Sequence, residues 1–163
     1  MFSVGIITCS DKGAAGERED LSGKVIREIV EAKGYEVKKY IVLPDELDKL
    51  SNEMIHMSDD LNLNLILTTG GTGFSQRDIT PEATETVITR KTPGISEAIR
   101  YYSLSITKRA MLSRATSGIR NNTLIINLPG SPKAVKESLE YIIDSIHHGI
   151  EILLGKTGEC ARK

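Results

Sequence analysis

Short apolar runs alternate with amphipathic segments along the chain, and the spacing of the apolar positions predicts an element for each. Val4-Gly5-Ile6-Ile7-Thr8 reads as a buried strand, followed by a polar, glycine-bearing stretch from Ser10 to Asp20. Leu21, Val25, Ile26, Ile29 and Val30 then recur at helical spacing between Leu21 and Lys33. Gly34 suits the residue after that helix, because it has no Cβ to oppose a left-handed conformation. Tyr35 to Leu43 is strand-like, and after Pro44 the side chain of Asp45 can cap a helix reaching about Asp59. Leu61 to Leu67 predicts a strand ending in Thr68-Thr69-Gly70-Gly71-Thr72-Gly73. Thr80-Pro81-Glu82 predicts a helix start with a hydroxyl cap, proline at the first helical position and an acid in the first turn. A helix from Ile95 to Ile106 follows Pro93-Gly94, and short paired strands, Ser117 to Arg120 and Thr123 to Asn127, flank Asn121-Asn122. Ser131 caps and Pro132 opens a long last helix with Leu139, Ile142, Ile143, Ile146, Ile150, Leu153 and Leu154 on its apolar side.

Strands that alternate with helices predict parallel βαβ units: an α/β fold whose mostly parallel sheet is covered on both faces. Ligands of such sheets sit at the carboxyl ends of the strands, and three glycine-bearing loops fall there. The expected organisation is one domain over residues 1–154, with 155–163 as a frayed tail.

Composition narrows the class of function. The chain has 163 residues, with 21 Lys+Arg against 22 Asp+Glu, a net charge of −1. That balance argues against broad nucleic-acid binding, which needs clustered positive charge, and leaves room for a pocket that takes a small anion. Two cysteines, Cys9 and Cys160, make neither a disulfide framework nor a zinc site. The N-terminus lacks the basic and apolar regions of a signal peptide, and no apolar run approaches the ~20 residues of a membrane span. A soluble, cytoplasmic protein with no membrane partner is expected.

Candidate chemistry lies in the loops. In Thr69-Gly70-Gly71-Thr72-Gly73 the glycines let backbone N–H groups converge on an anion while the threonines add hydroxyls; the bland alternative is a tight turn needing positive φ. Asp78 lies between this loop and a helix start, where a carboxylate could seat Mg²⁺ beside a phosphate, or pair with Arg77, or cap the helix. Asp45 could add a second carboxylate, or serve only as a helix cap. Pro129-Gly130-Ser131 at a helix N-terminus is a phosphate seat or simply a cap. Arg114, in Met111-Leu112-Ser113-Arg114-Ala115-Thr116-Ser117-Gly118, could hold a phosphate through its fork or stand solvated. His56, isolated, and the adjacent His147-His148 form no metal or general-base pattern.

Taken together, Thr69 to Gly73, Arg77-Asp78, Thr80-Pro81-Glu82-Ala83, Ser10-Asp11, Asp20-Leu21-Ser22-Gly23, Leu43-Pro44-Asp45, Thr92-Pro93-Gly94, Met111 to Arg114 and Asn127 to Pro132 resemble the molybdenum-cofactor biosynthesis proteins of the MogA/MoaB type and the related G domains of plant proteins and gephyrin. The resemblance implies a three-layer α/β/α sandwich, a homotrimer, and molybdopterin adenylyltransferase activity in which ATP and molybdopterin give adenylyl-molybdopterin and pyrophosphate. It also implies Asp78 and Asp45 as the catalytic, Mg²⁺-linked acids, Gly70, Gly71, Thr72 and Gly73 as the phosphate loop, and Ser113 and Ser117 as contacts to the pterin. Glu46 stands where relatives often carry Asp, and a longer carboxylate places its oxygens differently, so it takes no metal role. A same-fold protein that binds molybdopterin without adenylylating it, and a nucleotide or sugar-phosphate enzyme with the same loop pattern, are the competing readings. A scaffolding role is not expected without the further domains of gephyrin-like proteins.

Overall fold

The computed structural model describes residues 1–156. In chain order the elements are β1 (Ser3–Cys9), α1 (Asp11–Ala14), α2 (Leu21–Ala32), β2 (Glu36–Leu43), α3 (Leu47–Ile55), β3 (Leu65–Thr69), α4 (Thr80–Val87), β4 (Arg90–Lys91), α5 (Pro93–Leu104), β5 (Ser117–Arg120), β6 (Thr123–Leu128) and α6 (Pro132–Leu153). They form a three-layer α/β/α sandwich around one six-stranded sheet of order β2-β1-β3-β6-β5-β4. The first four strands in that order run parallel, and β5 and β4 complete the edge antiparallel.

Alternation along the central strands builds the two cores. Val4, Ile6, Leu65, Leu67, Leu124 and Ile126 point to one face, against Ile26 and Val30 of α2 and the apolar stripe of α6. Ile7, Cys9, Ile66 and Ile125 point to the other, against Leu50 and Met54 of α3 and Ala83 and Val87 of α4. Strands apolar on both faces are what a doubly covered parallel sheet requires. Gly34 closes α2 at φ 86°, and Asn121 turns the β5–β6 hairpin at φ 51°, as the sequence predicts.

Three local expectations are corrected. Leu61 to Asn64 is not strand: Asn62 is left-handed at φ 51°, Leu61 is exposed, and β3 begins at Leu65. Asp45 does not cap α3; Glu46 holds the cap position without a side-chain bond, and the helix runs on into a π-helical turn, His56–Asp60. Thr80 is inside α4 rather than before it, and its hydroxyl donates to the Gly70 carbonyl at 2.9 Å instead of capping the helix. The two-residue β4 has too little pattern to be seen in sequence. The last helix ends at Leu153. Of the tail expected to fray, residues 157–163 lie outside the described residues. Among the described residues no helix is long and apolar enough to cross a membrane.

Candidate active site

The parallel strands deliver their carboxyl ends to one rim of the sheet, and the loops that leave them surround a polar cleft of about 530 Å³. Its floor is main chain. Gly70 and Gly71 both adopt positive φ (92° and 68°), which reverses the chain after β3. A Cβ on Gly70 would come within 2.5 Å of the Cys9 carbonyl, and one on Gly71 would collide with the Thr80 hydroxyl. Here glycine answers both the strained conformation and the close approach.

Asp45 follows β2 and enters the cleft beside this turn. Its Oδ2 accepts from the Asp11 N–H at 3.1 Å, whereas Oδ1 is buried and has no hydrogen-bond partner. Oδ1 lies 3.1 Å from where a Cβ on Gly71 would stand, so it faces the turn. Burial raises the carboxyl's pKa above its usual range, and the charges of Asp11 and Asp78 push it the same way. An acceptor kept dry without a donor is costly, and it marks where a ligand or cation would be welcome. Asp78 lines the same cleft and accepts from the Ser75 N–H at 3.0 Å. Arg77, beside it, forks onto Asp11 and lowers the pKa of that carboxyl.

The other predicted residues divide. Gly130 and Ser131 line the cleft, and Ser131 also caps α6 by accepting from the Ala134 N–H at 3.2 Å. Thr69 borders the cleft, but its hydroxyl is committed to the Pro129 carbonyl at 2.6 Å and offers no donor to a ligand. Thr72, Gly73, Ser113 and Pro129 line a neighbouring, more apolar cavity of about 270 Å³, walled by Ile99 and Leu112, which meets the cleft at Gly130.

Two expectations fail on contact. Arg114 does not line the cleft, and its guanidinium is engaged within the protein. Its Nε donates to the Gly73 carbonyl at 2.8 Å, one Nη donates to the Asp78 carbonyl at 2.7 Å, and the other pairs with Glu82. It holds the loop from behind. Ser117 is buried, with its hydroxyl on the Thr92 carbonyl at 2.7 Å and against Ser96, so it cannot contact a pterin without rearrangement.

Asp20 and Ser22, which carry no predicted role, are both engaged at the cleft wall. Asp20 caps α2 through the Gly23 N–H at 2.9 Å while accepting from Thr8 at 2.6 Å and from the Tyr40 hydroxyl. Burial, with Asp20 beside it, holds the Tyr40 phenol well above its ordinary value. Ser22 donates to the Gly130 carbonyl at 2.7 Å, which ties α2 to the loop after β6. Arg18 lines the same wall and has no ion-pair partner among the described residues. Apart from the cap on Gly23, three residues on, no local pattern flags these contacts, because the partners come from distant segments.

A polar cleft with a glycine floor and acid walls, at the carboxyl ends of parallel strands, defines a ligand-binding α/β domain of the doubly covered kind. Residues 5–148 match the family model described as "Probable molybdopterin binding domain". The chain belongs to that molybdenum-cofactor biosynthesis family. A molybdopterin adenylyltransferase of Helicobacter pylori is 42% identical over 154 residues, covering 93% of this chain and 88% of that protein. The molybdopterin adenylyltransferase of Escherichia coli K12 is 36% identical, covering 90% and 78%. The crystal structure of the molybdopterin biosynthesis enzyme MoaB from Thermus thermophilus superposes with a TM-score of 0.91 at 44% identity, covering 98% of this chain and all of that one.

Proposed function

We propose that this chain is a molybdopterin adenylyltransferase of molybdenum-cofactor biosynthesis, transferring AMP from ATP to the terminal phosphate of molybdopterin. A phosphate oxygen attacks the α-phosphorus of ATP; the new P–O bond forms as the bond to the β-phosphate breaks, and pyrophosphate leaves. A phosphate monoester with its second pKa near 6 is already mostly dianionic at pH 7, so the nucleophile needs no strong base. What the reaction needs is two polyanions held in line and their charge offset.

The observation that carries this reading is the unpartnered Asp45 Oδ1, buried beside the Gly70-Gly71 turn in a cleft shared with Asp78. The residues fit Mg²⁺: two hard carboxylates, Asp45 and Asp78, line one cleft, and one Asp45 oxygen is buried without a partner. Mg²⁺ prefers such a setting, one or two carboxylates with phosphate and water completing the shell. Asp45 and Asp78 would hold it, and its chemistry there would be neutralisation of phosphate charge. The backbone N–H groups of the glycine turn, together with Arg18 on the cleft wall, would meet phosphate oxygens. A two-part ligand also suits a polar cleft and an apolar cavity that meet at Gly130.

Cytoplasmic location and a homotrimer belong to the same proposal. The trimer is supported by Tyr101 and Leu104 on α5 and Met111 and Leu112 just after it, large apolar side chains left exposed; native mass spectrometry reads it directly. The functional test is pyrophosphate release and adenylyl-molybdopterin formation from purified protein, ATP, Mg²⁺ and molybdopterin. Asp78→Asn is expected to abolish turnover while largely sparing pterin binding. Wild-type protein that retains the pterin but releases no pyrophosphate would reduce the chain to a binding protein.

A further inference from the structure

The loops that carry the two acids are joined by a side chain that does not itself line the cleft. Asp11 opens α1, 34 residues from Asp45 and 66 from Arg77. Its N–H donates to Asp45 Oδ2 at 3.1 Å, and its Oδ1 accepts from the Asp45 N–H at 3.0 Å, a reciprocal pair. The same carboxylate takes the Arg77 fork, Nε to Oδ2 at 3.0 Å and Nη2 to Oδ1 at 2.8 Å. Arg77 immediately precedes Asp78. One carboxylate thus connects the loop after β2 to the loop after β3.

We propose that Asp11, braced by Arg77, is a positioning residue that sets where Asp45 and Asp78 stand relative to each other; the proposal rests on the adenylyltransferase reading. Three observations carry it. Asp45 and Asp78 are like charges lining one cleft, so the loops bearing them repel unless tied. An arginine–carboxylate fork is directional as well as attractive, and it fixes a geometry that a point charge would not. Finally, α1 buries no side chain, so it contributes nothing to the core that would explain the arrangement. The Arg77 and Asp11 side chains are 59% and 42% exposed, where an ion pair adds little to folding stability. What the pair can do is hold position.

The test compares Asp11→Ala, Asp11→Asn, Arg77→Gln and the double variant Asp11→Ala/Arg77→Gln with wild type. In Asp11→Ala, kcat is expected to fall on the order of 10²-fold, the scale of a misplacement near 1 Å, with KM for ATP and molybdopterin little changed and the thermal midpoint close to wild type. Asp11→Asn keeps an acceptor for the Asp45 N–H and should recover part of the loss. The double variant should be no slower than Asp11→Ala alone, because both substitutions cut one tie. Amide hydrogen exchange gives a readout independent of turnover: the Asp45 N–H and residues 75–78 should exchange faster in Asp11→Ala, and the Asp45 N–H should regain protection in Asp11→Asn. Unchanged kcat, losses that add in the double variant, or a loss matched by a fall in the thermal midpoint would overturn the positioning role. Should wild type itself fail to transfer adenylate, the functional reading falls first, and unchanged exchange in Asp11→Ala would then sink the brace on its own evidence.

Discussion

Asp45 is held in a state that folding alone would not choose. Its folded pKa is raised, so the folded protein binds that proton more readily than the unfolded chain does. Stability from the protonated form is present below the ordinary carboxylate value of 3.8 and is lost as pH rises through the folded value. At pH 7 the half-buried charge therefore works against the fold. Asp45→Asn should raise the urea midpoint at pH 7, lower adenylyl transfer sharply, and lose its stability advantage as pH falls towards 3.8. Equal midpoints at pH 7 would contradict this. The sequence showed an acid at a strand end but offered a helix cap as its ordinary use. Only the fold reveals that the cap is not made and that one oxygen goes unanswered, since burial depends on neighbours from other loops.

At the scale of elements, the loop between β3 and α4 depends on a residue far along the chain. Arg114 gives its fork to the Gly73 and Asp78 carbonyls and to Glu82, whose carboxyl it keeps below the usual range. Arg114→Gln leaves two carbonyls without their charged donor. A loss of roughly 1–3 kcal/mol in urea denaturation is expected, with slower turnover from a loosened Asp78; wild-type stability would show the fork to be dispensable. Elements with long apolar patterns were legible: α2 begins at Leu21, where its apolar spacing starts, and α6 begins at Pro132 behind the Ser131 cap. Leu61 to Asn64 misled because alternating Leu and Asn imitates a strand, while Asn62 is in fact a left-handed turn residue. Arg114 and Ser117 misled differently. Arg114 lies in the link before β5 and Ser117 opens that strand, but the partners of both are distant in sequence, and local pattern cannot tell a ligand contact from an internal brace.

The whole molecule has a predictable alkaline limit. Burial pushes the Cys9 thiol from 9.0 to about 12 and the Tyr35 phenol from 10.0 to about 12, so neither ionises where the unfolded chain would. Groups with raised folded values stabilise fully below the unfolded values and progressively less as pH climbs towards the folded ones. Urea midpoints should thus decline from about pH 9 upward, and Cys9→Ala should flatten that decline while lowering stability at pH 7. A slope identical to wild type would exclude the thiol as a contributor. The Gly70 turn, pressed on the Cys9 carbonyl, has a broader consequence. A basin whose bed is peptide rather than side chain cannot be retuned by single substitutions beneath the guest. Relatives that came to favour a different nucleotide or metal would have to change along the banks, at positions such as Arg18, Ser22 and Ser131, and a screen for altered preference should begin there.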